Sequence, residues 1–158
     1  MTSPRKPRST LRKWISRVWV TLGVTAILAM AWSYEAHGVD PAVLETDSVV
    51  RVTDHDGYLE FGPLTNPKAP QLLFFPGGMV ELKAYAPMAR QVAEAGYRVV
   101  LIRLPFLNRH AMSEGQKRDV IGDAQTQMRA ADPAVPWVVA GHSFGGVWPP
   151  GWLTKVPN

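Results

Sequence analysis

A five-residue segment near the end of the chain has the residue types and spacing of a nucleophile site. Its sequence is Gly141-His142-Ser143-Phe144-Gly145, a G-x-S-x-G pattern that Gly146 follows. The outer glycines of this pattern permit a sharp turn between a strand and a helix, and the turn lifts the serine hydroxyl clear of the sheet. Such a hydroxyl attacks an acyl carbon when a base removes its proton. The pattern predicts a nucleophile at Ser143; an inert serine in a glycine-rich turn is the alternative.

A second glycine-rich segment follows an earlier apolar run. Pro76-Gly77-Gly78-Met79 comes directly after Gln71 to Phe75, which has the composition of a buried strand. Two adjacent glycines allow the backbone to approach a substrate closely, so its amides can stabilise a negatively charged oxygen. A tight turn that requires positive φ is the alternative. A phosphate loop is excluded, because no G-K-S or G-K-T sequence follows.

Helices and strands alternate around these two segments. From Tyr85 to Ala95 apolar residues recur at helical spacing, and Gly96 stands where a helix would end. Ser113 and Gln116 form a candidate capping box. A second apolar stripe follows this box and comprises Val120, Ile121, Ala124 and Met128. The runs Val99–Ile102 and Trp137–Ala140 are short, apolar and typical of strands covered on both sides.

The preceding residues predict a β-hairpin. Val49–Thr53 and Tyr58–Phe61 resemble strands, and the turn-forming residues 54–57 separate them. Thr65–Pro70 is expected to be a loop. The whole pattern indicates an α/β fold with a mostly parallel sheet and helices on both faces.

The N-terminal region has the charge pattern of a membrane-targeting segment. Residues 1–17 form a tail with six basic and no acidic residues, and residues 18–34 are uncharged and mainly apolar. A helix of this length just crosses a bilayer, and the basic tail is expected to stay in the cytoplasm. A cleaved signal peptide, with Ala29-Met30-Ala31 as the cleavage site, and a buried soluble helix are the alternatives. Residues 35–48 are interpreted as a linker and residues 49–158 as a domain outside the cytoplasm, either anchored or secreted after cleavage.

The overall composition excludes several classes of site. The formal charge is +4, but residues 18–158 contain 11 basic and 13 acidic residues and are slightly acidic. Nucleic-acid binding is therefore not expected. The chain has no cysteine, which excludes disulfides, thiolate zinc sites and a cysteine nucleophile. We expect neither a metal nor a cofactor.

Residues 49–146 resemble the N-terminal half of the α/β-hydrolase superfamily, and most closely its small membrane-anchored bacterial members. The matching segments are Leu73 to Gly78, Ala84 to Ala89, Ala95 to Tyr97 and Gly141 to Gly146. The resemblance implies a partial α/β-hydrolase fold and a Ser143 acyl-enzyme formed from a small-molecule ester or thioester. It also implies that the backbone amides of Gly78, Met79 and Phe144 form the oxyanion hole, and that Gly141, His142 and Gly145 form the elbow around the serine.

The sequence departs from that family after the serine. The family order is serine, then an acid, then histidine, whereas residues 144–158 contain no Asp, Glu or His. Two prolines and a glycine at 149–151 also interrupt the expected helix. We therefore expect a truncated domain with impaired activity, with a genuine short variant and a non-catalytic membrane-anchored binding module as alternatives.

Upstream residues offer no convincing replacement for the missing base. His142 is expected to point away from the serine, and His110 lies in a loop where a substrate contact is conceivable. His37, His55 and Asp123 are interpreted as linker, turn and solvent-facing residues.

Overall fold

The computed structural model describes residues 10–78, 80–105, 112–132 and 134–147. The chain forms two compact units that divide between Glu35 and Ala36.

The first unit contains helix α1, Thr10–Tyr34, none of whose residues is buried. Trp14, Trp19 and Trp32 are each about two-thirds exposed. The helix has the length and composition of a membrane span, and a signal sequence near an N-terminus would have the same properties.

The second unit is built on a five-stranded mixed sheet in the order β1-β2-β4-β3-β5. Its strands are β1 Val50–Asp54, β2 Tyr58–Pro63, β3 Lys68–Phe75, β4 Tyr97–Ile102 and β5 Trp137–Gly141. The predicted hairpin is present, since β1 and β2 pair antiparallel, and β2 also pairs antiparallel with β4. Strands β4, β3 and β5 are parallel, so their carboxyl ends lie at one edge of the sheet. The sheet is thus the α/β arrangement that the sequence predicts, with an antiparallel hairpin at one side.

Helices cover both faces of the sheet. Helix α2, Ala86–Glu94, packs on the face that carries Val99 and Leu101 of β4. Helix α3, Glu114–Ala130, packs on the opposite face, which carries Val100 and Ile102. All four of these β4 side chains are fully buried, because successive residues of a strand point to opposite faces and both faces are covered.

The local signals for the two helices are confirmed. Ser113 is the N-cap of α3, its hydroxyl accepts from the Gln116 amide, and the Gln116 side chain accepts from the Ser113 amide. Gly96 follows α2 with φ of 97°, a left-handed conformation that glycine adopts at little cost. A 3-10 helix, Leu82–Tyr85, precedes α2.

The prediction that Thr65–Pro70 is entirely loop was wrong at its end. Strand β3 begins at Lys68, whose amide donates to the Gly96 carbonyl at 2.8 Å and which pairs with Tyr97. Pro70 is tolerated because the β3–β4 register shifts between Lys68 and Leu72, where a missing amide breaks no regular ladder.

Arg90 of α2 holds the segment before β1 in place. Its side chain is only 11% exposed, and it donates to the carbonyls of Val43 and Glu45 and to the carboxylate of Asp47. Those carbonyls lie at and beyond the end of the 3-10 helix Pro41–Leu44. The amides of Val50 and Val49 donate to Asp47, and together with the Arg90 guanidinium they hold the pKa of its carboxyl below the ordinary value.

Candidate active site

Ser143 occupies a sharp bend between a strand and a helix. Strand β5 ends at Gly141, and helix α4, Phe144–Val147, begins directly after the serine. Ser143 has φ of 51°, and it is the only non-glycine residue in the described part of the chain with a positive φ. A left-handed conformation is costly for a residue with a Cβ atom, so it is found where the surrounding structure imposes it, often at functional sites. The bend matches the turn that the G-x-S-x-G pattern predicts.

The glycines of the bend are required by close backbone packing. A Cβ atom on Gly145 would overlap the carbonyl oxygen of Phe75 and would lie 2.5 Å from that of Pro76. A Cβ atom on Gly141 would overlap the carbonyl of Gly145 and would lie 2.8 Å from the Gly146 amide nitrogen. Contacts this short leave no space for a side chain at either position, so only glycine permits the close backbone packing of the bend.

The same packing brings the two glycine-rich segments together. The His142 amide donates to the carbonyl of Phe75, the last residue of β3, at 3.0 Å. Since β3 and β5 are neighbouring parallel strands, the loop after β3 and the bend after β5 leave the sheet at the same edge. The topology therefore makes the two glycine-rich segments neighbours.

The residues predicted to form the oxyanion hole lie on these two segments. Gly78 is buried in the loop after β3, and Phe144 is the first residue of α4. The Phe144 side chain packs against the apolar cluster under α3. Met79, the other predicted donor, lies outside the described residues.

The Ser143 side chain is exposed, and its hydroxyl forms no hydrogen bond with any described residue. The ring of His142 is directed to Tyr85, whose hydroxyl lies 2.9 Å from Nδ1. His110 and residues 148–158, which include the predicted helix-breaking prolines, lie outside the described part of the structure. Backbone packing, and not side-chain hydrogen bonds, therefore fixes the conformation of the bend. None of the described side chains acts as a base on Ser143.

The other candidate acid and base residues have contacts of their own. His55 stacks on Tyr58 with 4.2 Å between the ring centroids. The Asp123 carboxylate lies against Gly57 in the β1–β2 turn, and partial burial together with the charge of Asp119 raises its pKa. Within the described residues, no three His, Asp or Glu side chains converge as metal ligands would.

Tyr85 is the site residue that the sequence analysis missed. In the sequence it counts only as the first apolar position of a helical stripe, but in the structure it ends the 3-10 helix before α2. Its hydroxyl accepts a hydrogen bond from the Gly77 amide at 2.9 Å and contacts His142. No local pattern signals this role, because the partners are eight and 57 residues away in sequence.

The sheet order, the helices on both faces and the strained serine after β5 together define a hydrolase-type α/β fold. Residues 71–155 match the alpha/beta hydrolase family, and because this is more than half of the chain, the protein belongs to that family. None of the curated proteins matches the chain.

Solved structures share the fold at low sequence identity. A hyperthermophilic esterase from the archaeon Pyrobaculum calidifontis is 17% identical, with a TM-score of 0.51 over 89% of this chain and 51% of its own. A monoclinic form of the esterase from Pyrobaculum calidifontis gives 16% identity and a TM-score of 0.51 over 88% and 50%. The chain thus spans about half the length of these esterases, and the likeness shows the fold alone.

Proposed function

We propose that this protein is a serine hydrolase of carboxylic esters or thioesters, with the Ser143 hydroxyl as its nucleophile. One observation carries the proposal: Ser143 is held at φ of 51° between β5 and α4, next to the loop that follows β3. The Ser143 side chain is exposed, so an acyl carbon can reach the hydroxyl from solvent, and the bend and the loop leave the sheet at the same edge.

The proposed reaction proceeds in two steps. The Ser143 Oγ attacks the acyl carbon and loses its proton to solvent hydroxide or water, and the carbonyl oxygen becomes an oxyanion that the amides of Gly78 or Met79 and of Phe144 stabilise. Collapse of this intermediate expels the alcohol or thiol, which takes up the proton. Water then hydrolyses the acyl-enzyme and regenerates the serine. The strained backbone of Ser143 supports this proposal. Residues 144–158 contain no acid or histidine that could serve as the base.

The experiment measures hydrolysis of p-nitrophenyl acetate, butyrate and octanoate by the full chain in detergent. We expect turnover that Ser143→Ala reduces to the rate of the uncatalysed reaction. Ser113→Ala is the matched control, since Ser113 is an N-cap serine of α3 and its loss is expected to leave the rate unchanged. Equal turnover by the wild-type chain and Ser143→Ala would overturn the proposal.

A non-catalytic binding module is the second candidate function. The observation in its favour is that the Ser143 hydroxyl has no hydrogen-bond partner among the described side chains, and without a base a serine is a poor nucleophile at neutral pH. No turnover of any ester by the folded chain, combined with saturable binding of a non-hydrolysable acyl ketone, would support this candidate over the enzyme.

We further propose that α1 anchors the protein in the membrane, with the remaining domain outside the cytoplasm. Support comes from its apolar composition, its exposed tryptophans and the basic residues at its start. The intact mass of the protein isolated from membranes tests the proposal. Retention of residues 1–34 after alkaline carbonate extraction supports an anchor, whereas a mature chain that begins after Ala31 supports secretion.

A further inference from the structure

The Tyr85 hydroxyl connects the two segments that form the candidate active site. It accepts from the Gly77 amide at 2.9 Å on the loop after β3, and it lies 2.9 Å from His142 Nδ1 on the bend after β5. The Tyr85 ring is held in turn by Phe74, with 4.9 Å between the ring centroids. One side chain from the start of α2 therefore contacts both halves of the site.

The Tyr85 hydroxyl can bond to both partners at once. A tyrosine hydroxyl has one proton to donate and two lone pairs that accept. The Gly77 amide donates to one lone pair, which leaves the phenolic proton and the second lone pair for the hydrogen bond with His142 Nδ1. In the tautomer with the ring N–H on Nε2, Nδ1 accepts this hydrogen bond, and in the other tautomer Nδ1 donates it to the tyrosine oxygen.

The network also determines which amide is available to a substrate. Because the Gly77 amide already donates to Tyr85, it is not free to stabilise an oxyanion. The donor on this loop must then come from a later residue, as the proposed roles of Gly78 and Met79 require. Because this hydrogen bond fixes the Gly77 peptide, it also restricts the position of the Gly78 amide that follows.

We propose that Tyr85 is a positioning residue of the hydrolytic site: its hydroxyl ties the Gly77 loop to His142 and so sets the spacing between the oxyanion donors and the Ser143 hydroxyl. The inference rests on the proposed hydrolase function and adds to it. Tyr85 itself does not contact the reacting atoms.

The test compares Tyr85→Phe with the wild-type full chain in detergent micelles. The substitution removes the hydroxyl and keeps the ring that packs on Phe74. Two readouts are measured: the second-order rate of Ser143 phosphonylation by an alkyl fluorophosphonate, and the ¹⁵N shifts of the His142 ring. Loss of two hydrogen bonds of about 0.5–1.5 kcal/mol each, if expressed fully in the transition state, predicts a rate lower by about fivefold to 160-fold. The Nδ1 resonance is expected to move toward that of a solvent-exposed histidine.

Tyr58→Phe is the matched control, because Tyr58 also lies beside a histidine, His55, but contacts it by ring stacking. It is expected to change neither readout. His142→Ala provides a second variant that does not depend on Tyr85→Phe folding well. If Tyr85 acts through His142, His142→Ala slows phosphonylation in the wild-type background and has no further effect in the Tyr85→Phe background.

The outcomes separate the inference from the proposed function. Labelling of the wild-type chain with slower labelling of Tyr85→Phe supports the inference. Labelling of both at the same rate, or additive losses in the double variant, overturns the inference and leaves the hydrolase proposal intact. A folded wild-type chain that is not labelled at all overturns the proposed function, and the positioning role with it.

Discussion

The α-carbon of Gly145 lies against the carbonyl oxygen of Phe75, so the bend after β5 and the end of β3 share one tightly packed backbone contact. The contact places the first turn of α4 directly beside the loop that begins at Pro76. It explains in steric terms why the G-x-S-x-G pattern ends in glycine, since any larger residue would push the two segments apart.

Substitution of Gly145 tests this packing. Gly145→Ala introduces a Cβ atom with no space to occupy and is expected to destabilise the fold by about 1–3 kcal/mol, as overpacking of a tight site does. Gly122→Ala is the matched control, because a Cβ atom at this helical position meets nothing within 4 Å. The control should gain about 0.5–1 kcal/mol from helix propensity. Urea unfolding measures both, and equal midpoints for the two variants would contradict the packing.

Backbone strain at Ser143 predicts an order of stability between two variants. Glycine adopts positive φ at little cost, whereas alanine keeps the strain of the wild-type serine. Ser143→Gly should therefore be more stable than Ser143→Ala by about 1 kcal/mol. Thermal unfolding of the two proteins measures the difference, and a more stable alanine variant would show that residue 143 does not hold the left-handed conformation.

The Asp47 carboxylate predicts a loss of stability in acid. Hydrogen bonds from the Val50 and Val49 amides and the charge of Arg90 lower its pKa in the folded state. The stabilisation is therefore complete above the unfolded pKa of about 3.9 and is lost as the pH falls through the lower, folded pKa. Asp47→Asn, which keeps an acceptor but not the charge, should have a lower urea midpoint than wild type at pH 7.

That difference should shrink as the pH falls below the unfolded pKa of about 3.9 and through the lower, folded pKa, because the wild-type carboxyl then takes up a proton. Asp132→Asn is the matched control, since Asp132 accepts a similar amide hydrogen bond from Ala134 and has no arginine partner among the described residues. A constant difference between Asp47→Asn and wild type from pH 7 to pH 2 would refute the role of the charge.

Asp123 predicts a pH effect of the opposite sign. Partial burial and the neighbouring Asp119 raise its pKa in the folded state, so ionisation costs stability once the pH exceeds the unfolded pKa of about 3.9. Asp123→Asn should be more stable than wild type at pH 7, and the gain should vanish below that pKa. Urea midpoints at pH 7 and pH 3 measure it; a destabilised Asp123→Asn at pH 7 would contradict the assignment.

Local patterns predicted the parts of the fold that depend on neighbours in sequence. The capping box at Ser113 and the end of α2 at Gly96 are confirmed, because each involves residues within one helical turn. The start of β3 at Lys68 was missed because it depends on pairing with Tyr97, which is distant in sequence. The strand order β4-β3-β5 was not predicted for the same reason, since no local pattern encodes which strands become neighbours.

The candidate site shows the same division. The strained bend at Ser143 follows from glycine spacing within five residues, so the sequence predicts it. The Tyr85 contacts with Gly77 and His142 exist only once α2 and the two loops have assembled, and the sequence contains no sign of them. Arg90 is similar: its spacing on α2 does not reveal that it is buried against the carbonyls before β1.

Covalent labelling of Ser143 tests the central claim most directly. The full chain, shown to be folded by its circular dichroism and cooperative unfolding, is incubated with an alkyl fluorophosphonate, and the adduct is located by peptide mass spectrometry. We predict a single adduct on Ser143, no adduct in Ser143→Ala, and none on the N-cap serine Ser113. A folded chain that remains unlabelled, or an adduct located on another serine, would contradict the claim that residue 143 is the nucleophile.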